Sequence, residues 1–160
     1  MFTTQQSLAI VLIGVGATAV LDLWLVVLKR LGVPTGSFAL IGRWVAHTAR
    51  GRLIHASIAK AEPVRNELAV GWVTHYAVGI AFAAVLVVLQ GSGWVRQPTF
   101  VPAFLTGVAT AAMPLFVMQP AMGSGFAASK TPTPLKNCAR RIANHAVFGV
   151  GMSLVRMWSR

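Results

Sequence analysis

The sequence is short of acidic residues and of cysteine. It contains three Asp and Glu residues against fourteen Lys and Arg residues, and its one cysteine is Cys138. A single cysteine excludes an internal disulfide framework. Charged residues make up 11% of the chain and hydrophobic residues 56%, which is too little charge on too much apolar side chain for a water-soluble domain. The composition therefore predicts a membrane protein.

Motifs of the common catalytic classes are also missing. The chain has no HExxH or CxxC sequence and no nucleophile elbow, so no motif assigns a reaction. The net charge is +11, and most of the basic residues lie in the connections between apolar runs. Basic residues at such positions set the orientation of a membrane protein and do not indicate contact with nucleic acid. We therefore expect a lipid bilayer with anionic phospholipids as the partner, and no nucleic acid.

Four apolar runs alternate with polar connections. A helix crosses the hydrocarbon core of a bilayer in about 20 residues, because it rises roughly 1.5 Å per residue. It also satisfies every backbone polar group where no water is present. We predict one all-α domain over residues 1–160, a polytopic membrane protein with four transmembrane helices. The expected spans are about 8–28, 68–89, 100–118 and 142–158, the third kinked by Pro114 and Pro120.

The connection between the first two spans has a helical pattern of its own. Arg43, His47 and Arg50 recur at helical spacing, with apolar residues on the opposite side. A second short helix is expected from about Leu53 to Lys60. We predict that residues 36–61 form a cytoplasmic amphipathic helical hairpin on the membrane surface. Its basic side chains would bind anionic headgroups or another anion, and they are Arg43, Arg50 and Arg52.

The distribution of positive charge predicts the orientation. Seven Lys and Arg residues lie between the first and second spans, and four lie between the third and fourth. Basic connections stay in the cytoplasm. We therefore expect a multi-pass protein of the bacterial cytoplasmic (inner) membrane with both termini outside the cytoplasm.

Short matches indicate a two-fold internal repeat. ATAVLDLW from Ala17 resembles ATAAMPLF from Ala109, and HYAVG from His75 resembles HAVFG from His145. The expected repeat units are residues 1–90 and 98–160, with two spans in each.

Polar residues inside the predicted spans point to function. Asp22 is an ionisable group in hydrocarbon, which is unfavourable unless the group is paired, protonated or next to water. In the expected orientation, Asp22, His75 and His145 lie toward the cytoplasm, and His and carboxylate side chains are ligands for Zn, Fe, Mn or Cu. These three are the expected metal ligands. The full cluster, which would hold a metal ion or a small polar ligand, is Asp22, His47, His55, Glu67, His75 and His145.

A haem held between two imidazoles is an alternative use of His75 and His145. Gly79 and Gly149 lie one turn beyond these histidines and leave room beside each ring for a flat ligand. The same His-x-x-x-Gly elements are equally suited to close packing of neighbouring helices. For Asp22 the structural alternative is an ion pair with a basic side chain, namely Arg43, Arg52 or His75.

Several stretches together resemble a known family. They are GATAVLDLW, GRWVAH, RGRLIHASIA, NELAVGWVTHYAVG, PLFVMQPAMGSGFAASKTPTP and HAVFGVG, and they cover nearly the whole chain. The chain resembles an uncharacterised domain-of-unknown-function family of small four-span bacterial inner-membrane proteins. Polar positions such as Tyr76 and Gln119 share in the resemblance, which implies the four-span fold and assigns no role to any residue.

The sequence leaves three functions open. The first is a binding or transport module that uses the predicted cluster. The second is a metal- or haem-dependent membrane enzyme that acts on a lipid or quinone. The third is a structural subunit, as a homo-oligomer or in a larger membrane complex, with the basic hairpin as its docking surface. No residue is assigned a catalytic role.

Overall fold

All regular structure between residues 3 and 159, the part of the chain that the computed structural model describes, is helical. This confirms the all-α prediction. Short helical turns of other types lie at Ile58–Lys60 and Phe126–Ala128, both 3₁₀, and at Met113–Met118, a π-helix. The α-helices are α1 (Thr4–Arg30), α2 (Phe38–Thr48), α3 (Glu67–Gln90), α4 (Ser92–Arg96), α5 (Phe100–Thr110), α6 (Gln119–Ala121) and α7 (Pro134–Trp158).

Three helical segments are long and apolar enough to cross a membrane. They are Thr4–Arg30, Glu67–Gln90 and Phe100–Ala121, and they contain the first three predicted spans. Helix α7 has 25 residues but is not among the three, and it carries polar residues beyond its basic first turns, at Asn144, His145 and Arg156. The chain therefore has helices of the kind that membrane proteins use, and a fourth span stays a prediction.

Both ends of α1 follow from local sequence. The Thr3 hydroxyl accepts from the Gln6 amide at 3.3 Å, and the Gln6 side chain accepts from the Thr3 amide at 2.9 Å. This reciprocal capping satisfies amides that have no partner within the helix. Lys29 and Arg30 stand in the last turn, where cations favour the negative end of the helix dipole. Gly32, with φ of 75°, follows the helix end.

The third apolar segment is irregular where its prolines stand. Regular α-helix ends at Thr110, and the π-helix Met113–Met118 contains Pro114. Proline lacks a backbone N–H and its ring clashes with the preceding turn, so an undisturbed α-helix is excluded there. The predicted interruption of this helix is confirmed. Such π-helical turns occur frequently at functional sites.

The chain divides into two compact units. The first contains the residues up to 35, residues 76–110 and the residues from 143 onward. The second contains residues 36–75 and 111–142. Each unit therefore combines parts of the chain that are distant in sequence, and α3 and α7 each contribute to both.

Glycines set the helix contacts of the first unit. A Cβ on Gly107 of α5 would lie 2.6 Å from the Gly149 amide nitrogen and 2.7 Å from the His145 carbonyl oxygen of α7. A Cβ on Gly151 would lie 2.9 Å from the Ala17 Cα of α1. Small residues allow this close approach of the helix backbones, a type of packing that membrane helices commonly use. The fully buried side chains between these helices include Ile13, Leu86 and Met152.

In the second unit, α2 packs on the start of α3 through Gly42 and Gly71. A Cβ on Gly42 would collide with the Glu67 carbonyl oxygen, and a Cβ on Gly71 would collide with the Phe38 carbonyl oxygen. The two helix backbones are therefore in direct contact. The N-terminal arm of the predicted hairpin exists as helix α2.

The second arm of the predicted hairpin is mostly not helical. The expectation of a helix from about Leu53 to Lys60 is wrong except for the 3₁₀ turn at Ile58–Lys60. The backbone amides of His55 and Ile58 donate instead to the carbonyl oxygens of Ala121 and Met122, at 2.8 and 3.0 Å. Partners distant in sequence thus replace the bonds that a helix would have used.

We expect that Gly107→Ala destabilises the protein. The added methyl group meets the α7 backbone, and overpacking of this kind costs about 1–3 kcal/mol. Gly93→Ala is the matched control, since a Cβ at that position has no neighbour within 4 Å. Unfolding in detergent or nanodiscs measures both variants. Equal stability of the two would contradict the close α5–α7 contact.

Candidate functional site

An ion pair between Arg43 on α2 and Glu67 at the start of α3 organises the second unit. The Arg43 Nε and Nη2 atoms donate to the two Glu67 carboxylate oxygens, each at 2.8 Å. This is the parallel two-bond geometry for which guanidinium and carboxylate are matched. The two side chains are 11% and 18% exposed. The hydrogen bond to Glu67 raises the pKa of Arg43 further above its ordinary value.

The same pair holds the segment that connects α2 to α3. The third guanidinium nitrogen of Arg43, Nη1, donates to the carbonyl oxygens of Ile58, Ala59 and Ala61 at 3.4, 3.3 and 3.0 Å. Glu67 Oε2 also accepts from the Val64 amide at 3.0 Å. Arg43 thus has an internal role in place of the predicted headgroup contact. Arg50 and Arg52 are exposed, and headgroup binding by them stays a prediction.

Two histidines of the predicted cluster meet in this unit. His47 is 2% exposed and His55 is 8% exposed, with ring centroids 5.1 Å apart and planes at 82°. His47 Nε2 lies 2.9 Å from the Glu62 carbonyl oxygen. Because a carbonyl oxygen only accepts, Nε2 carries the proton in this contact. His47 Nδ1 and both ring nitrogens of His55 have no hydrogen-bond partner within residues 3–159.

The unpartnered nitrogens of His55 are energetically unusual. A buried polar atom without a hydrogen bond costs about 1–3 kcal/mol relative to a satisfied one, and native proteins contain few of them. Burial of the unpartnered His55 ring therefore lowers the stability of the folded protein when no ligand is bound. A ligand that forms the missing hydrogen bond would offset this loss of stability.

A shallow surface cavity of about 370 Å³, open over most of its extent, lies beside His55. This volume falls in the range of small-molecule sites, about 300–1,000 Å³. Its wall contains two cationic side chains, one hydroxyl and one imidazole, and no carboxylate. We call it the His55 cavity, and its lining residues are Arg52, Ile54, His55, Ala56, Ser57, Lys60 and Ala61.

The other predicted site residues have different surroundings. Asp22 accepts a hydrogen bond from the Tyr76 hydroxyl at 2.9 Å in the first unit. His145 lies there too, with Nδ1 2.9 Å from the hydroxyl oxygen of Thr110. His75 belongs to the second unit and packs between aromatic rings, with centroid distances of 4.6 Å to Phe38 and 5.9 Å to Trp72.

No metal-binding group of three or more His, Cys, Asp or Glu side chains occurs in the described part of the chain, residues 3–159. The spaces beside Gly79 and Gly149 are also filled by neighbouring helices. A Cβ on Gly79 would collide with Thr18, and a Cβ on Gly149 would lie 3.0 Å from the Phe104 Cα. The two His-x-x-x-Gly elements are therefore helix contacts.

A family model described as Protein of unknown function (DUF2938) matches residues 11–158. The chain belongs to this family. The match confirms the resemblance to an uncharacterised family, and the family description assigns neither a reaction nor a ligand. No curated protein and no solved structure matches the chain.

Gln119 is a site candidate that the predicted cluster did not contain. Its side chain is 8% exposed, and its Oε1 atom has no hydrogen-bond partner among the described residues. It follows the π-helix and stands two residues before Ala121, whose carbonyl oxygen accepts from the His55 amide. The family resemblance had included this position, but an uncharged amide beside a proline does not by itself indicate a site.

We expect that Arg43→Lys lowers the unfolding temperature of the protein by several degrees. Lysine keeps the positive charge, but its single ammonium group cannot donate hydrogen bonds to both carboxylate oxygens of Glu67 and to the three backbone carbonyls at the same time. Arg50→Lys is the charge-preserving control, because Arg50 is exposed and its substitution should leave the unfolding temperature unchanged. If Arg43→Lys is as stable as Arg50→Lys, the ion pair does not organise this unit.

Proposed function

We propose that this DUF2938 member is a four-span protein of the bacterial cytoplasmic membrane that binds a small polar ligand in the His55 cavity. The observation that carries the proposal is the state of His55. His55 is 8% exposed and lines the cavity, and neither of its ring nitrogens has a partner within residues 3–159. A polar ligand would supply the hydrogen-bond partner that the described residues do not provide to His55.

The surroundings of His55 support binding because they hold the cavity wall in place. The His55 amide is bonded to Ala121, and the Arg52 amide donates to the His47 carbonyl oxygen at 2.9 Å. Arg43 binds the three carbonyls around the 3₁₀ turn that carries Lys60. A wall fixed before the ligand arrives loses little entropy on binding.

The cytoplasmic location rests on charge. The connection that forms the cavity is the most basic part of the chain, and short basic connections stay in the cytoplasm. The same rule places both termini and the short turn around Ser92 on the opposite side. Exposed Arg50 and Arg52 would then face the anionic inner leaflet.

The fourth span is supported by the packing of α7 in the first unit. Gly149 and Gly151 contact α5 and α1, which belong to segments long and apolar enough to span. Residues 142–158 would extend about 25 Å as a helix, nearly the thickness of the hydrocarbon core. Arg156 Nε donates to the Val95 carbonyl oxygen at 2.6 Å near the end of α7, so this charge has a partner.

Ligand binding is tested with small probes of different charge on the purified full chain in detergent. Inorganic phosphate, ethanolamine and glycerol represent anionic, cationic and neutral polar ligands. We expect at least one probe to raise the unfolding temperature saturably, since a ligand that binds only the folded state stabilises it. His55→Phe should abolish the shift.

Leu53→Ala is the control for this experiment, because Leu53 is half exposed and does not line the cavity. Its response to the probes should match that of the unchanged protein. Two results would overturn the proposal: no response to any of the three probes, or a response that survives in His55→Phe.

The topology is tested by thiol labelling in intact cells. In a Cys138→Ser background, we expect a membrane-impermeant maleimide to label Ser92→Cys without permeabilisation and Arg65→Cys only after it. Both positions are exposed, so access depends on the side of the membrane. The reverse pattern would place the His55 cavity outside the cell.

A further inference from the structure

We infer that the ligand of the His55 cavity carries a phosphate group, held by Arg52, Ser57 and Lys60 with a ring nitrogen of His55 as a further donor. This inference rests on the proposed function and names the chemistry of the ligand. It assigns a binding role to Ser57 and Lys60, which the sequence patterns did not single out.

The charge of the cavity wall is the first argument. Arg52 and Lys60 line it, and no acidic residue does. Neither cation forms an ion pair within residues 3–159, where the salt bridge is that of Arg43 with Glu67. A cationic ligand would be repelled by two like charges, and this repulsion provides selectivity. An anion would be attracted.

None of the three carboxylates of the chain forms an ion pair with Arg52 or Lys60 in the described residues. Glu67 has both oxygens bound to Arg43, and Asp22 accepts from Tyr76 in the other unit. Glu62 is exposed and lies outside the cavity wall. The positive charge at the cavity therefore has no internal counterion in the described residues.

The donor set is the second argument. A guanidinium, an ammonium, a hydroxyl and a protonated imidazole nitrogen all donate hydrogen bonds, and the first two donate only. A phosphate group offers acceptor oxygens in several directions, and arginine and lysine are its usual ligands in proteins. Four donor groups on one short stretch, residues 52–60, suit a tetrahedral oxyanion better than the two coplanar oxygens of a carboxylate.

Burial is the third argument, because it separates this cavity from an ordinary basic surface. Arg52 and Lys60 are exposed, and two exposed cations alone would bind anions weakly in salt solution. His55 lines the same cavity at 8% exposure, and both of its ring nitrogens are buried and have no partner within residues 3–159. A phosphate oxygen that reaches His55 leaves bulk water. Its hydrogen bonds are stronger there, because the surroundings of a buried group have a lower dielectric constant than water.

The phosphate group has two chemical sources, a soluble phosphate and a lipid headgroup. The test uses the full chain in a maltoside detergent, which contains no phosphate. One arm titrates inorganic phosphate, and the other titrates dioctanoyl phosphatidic acid, with chloride at matched ionic strength as the reference in both. The midpoint of the rise in unfolding temperature gives the apparent Kd.

We expect saturable binding in at least one arm, and the arm that binds more tightly identifies the source. The double variant Arg52→Gln/Lys60→Gln should weaken this binding at least about tenfold, since it removes two charge-assisted bonds. Arg65→Gln/Lys136→Gln removes the same charge from two exposed residues outside the cavity and should leave the apparent Kd unchanged.

Three results would overturn the inference, and they differ in what they leave standing. A response to ethanolamine or glycerol without a response to either phosphate compound retains the His55 site and removes the phosphate assignment. Phosphate binding that survives in Arg52→Gln/Lys60→Gln places the anion elsewhere. Absence of any response, with the variants folded, removes both the inference and the proposed function.

Discussion

The bidentate ion pair between Arg43 and Glu67 is the interaction on which the second unit depends. One guanidinium contacts both oxygens of the carboxylate and the carbonyls of Ile58, Ala59 and Ala61. It thereby ties α2, the 3₁₀ turn and the first turn of α3 together. A chain with three acidic residues uses one of them for this purpose. The ordered wall of the His55 cavity is a consequence.

The polar residues of the first unit have a different role. Asp22 accepts from Tyr76, Trp24 donates to Asn144 at 3.0 Å, and the ring of His145 contacts the Thr110 hydroxyl. Hydrogen bonds between helices stabilise helix association in lipid, where apolar contacts alone supply little driving force. These polar groups of the first unit therefore serve helix packing, whereas the unpartnered ring nitrogens of His55 lie in the connection between α2 and α3.

The positions of the long helices could be predicted because they depend on local sequence. The apolar runs at 8–28 and 68–89 lie within α1 and α3. The prolines of the third segment predicted its irregular turns. The stretch from Leu53 to Lys60 could not be predicted, since the His55 and Ile58 amides bond to Ala121 and Met122. No periodicity in one segment reveals a partner more than sixty residues away.

Hydropathy, charge and proline placement therefore determined a helical chain with membrane-type helices and a basic connection between the first two of them. These properties arise from each residue's own transfer energy and backbone geometry, which the sequence contains directly. Tertiary structure decided which polar side chains are satisfied. His145 and Asp22 received partners, whereas the ring nitrogens of His55 were buried without one among residues 3–159. That difference depends on which distant atoms fold beside each ring or carboxylate, and local sequence patterns do not contain it.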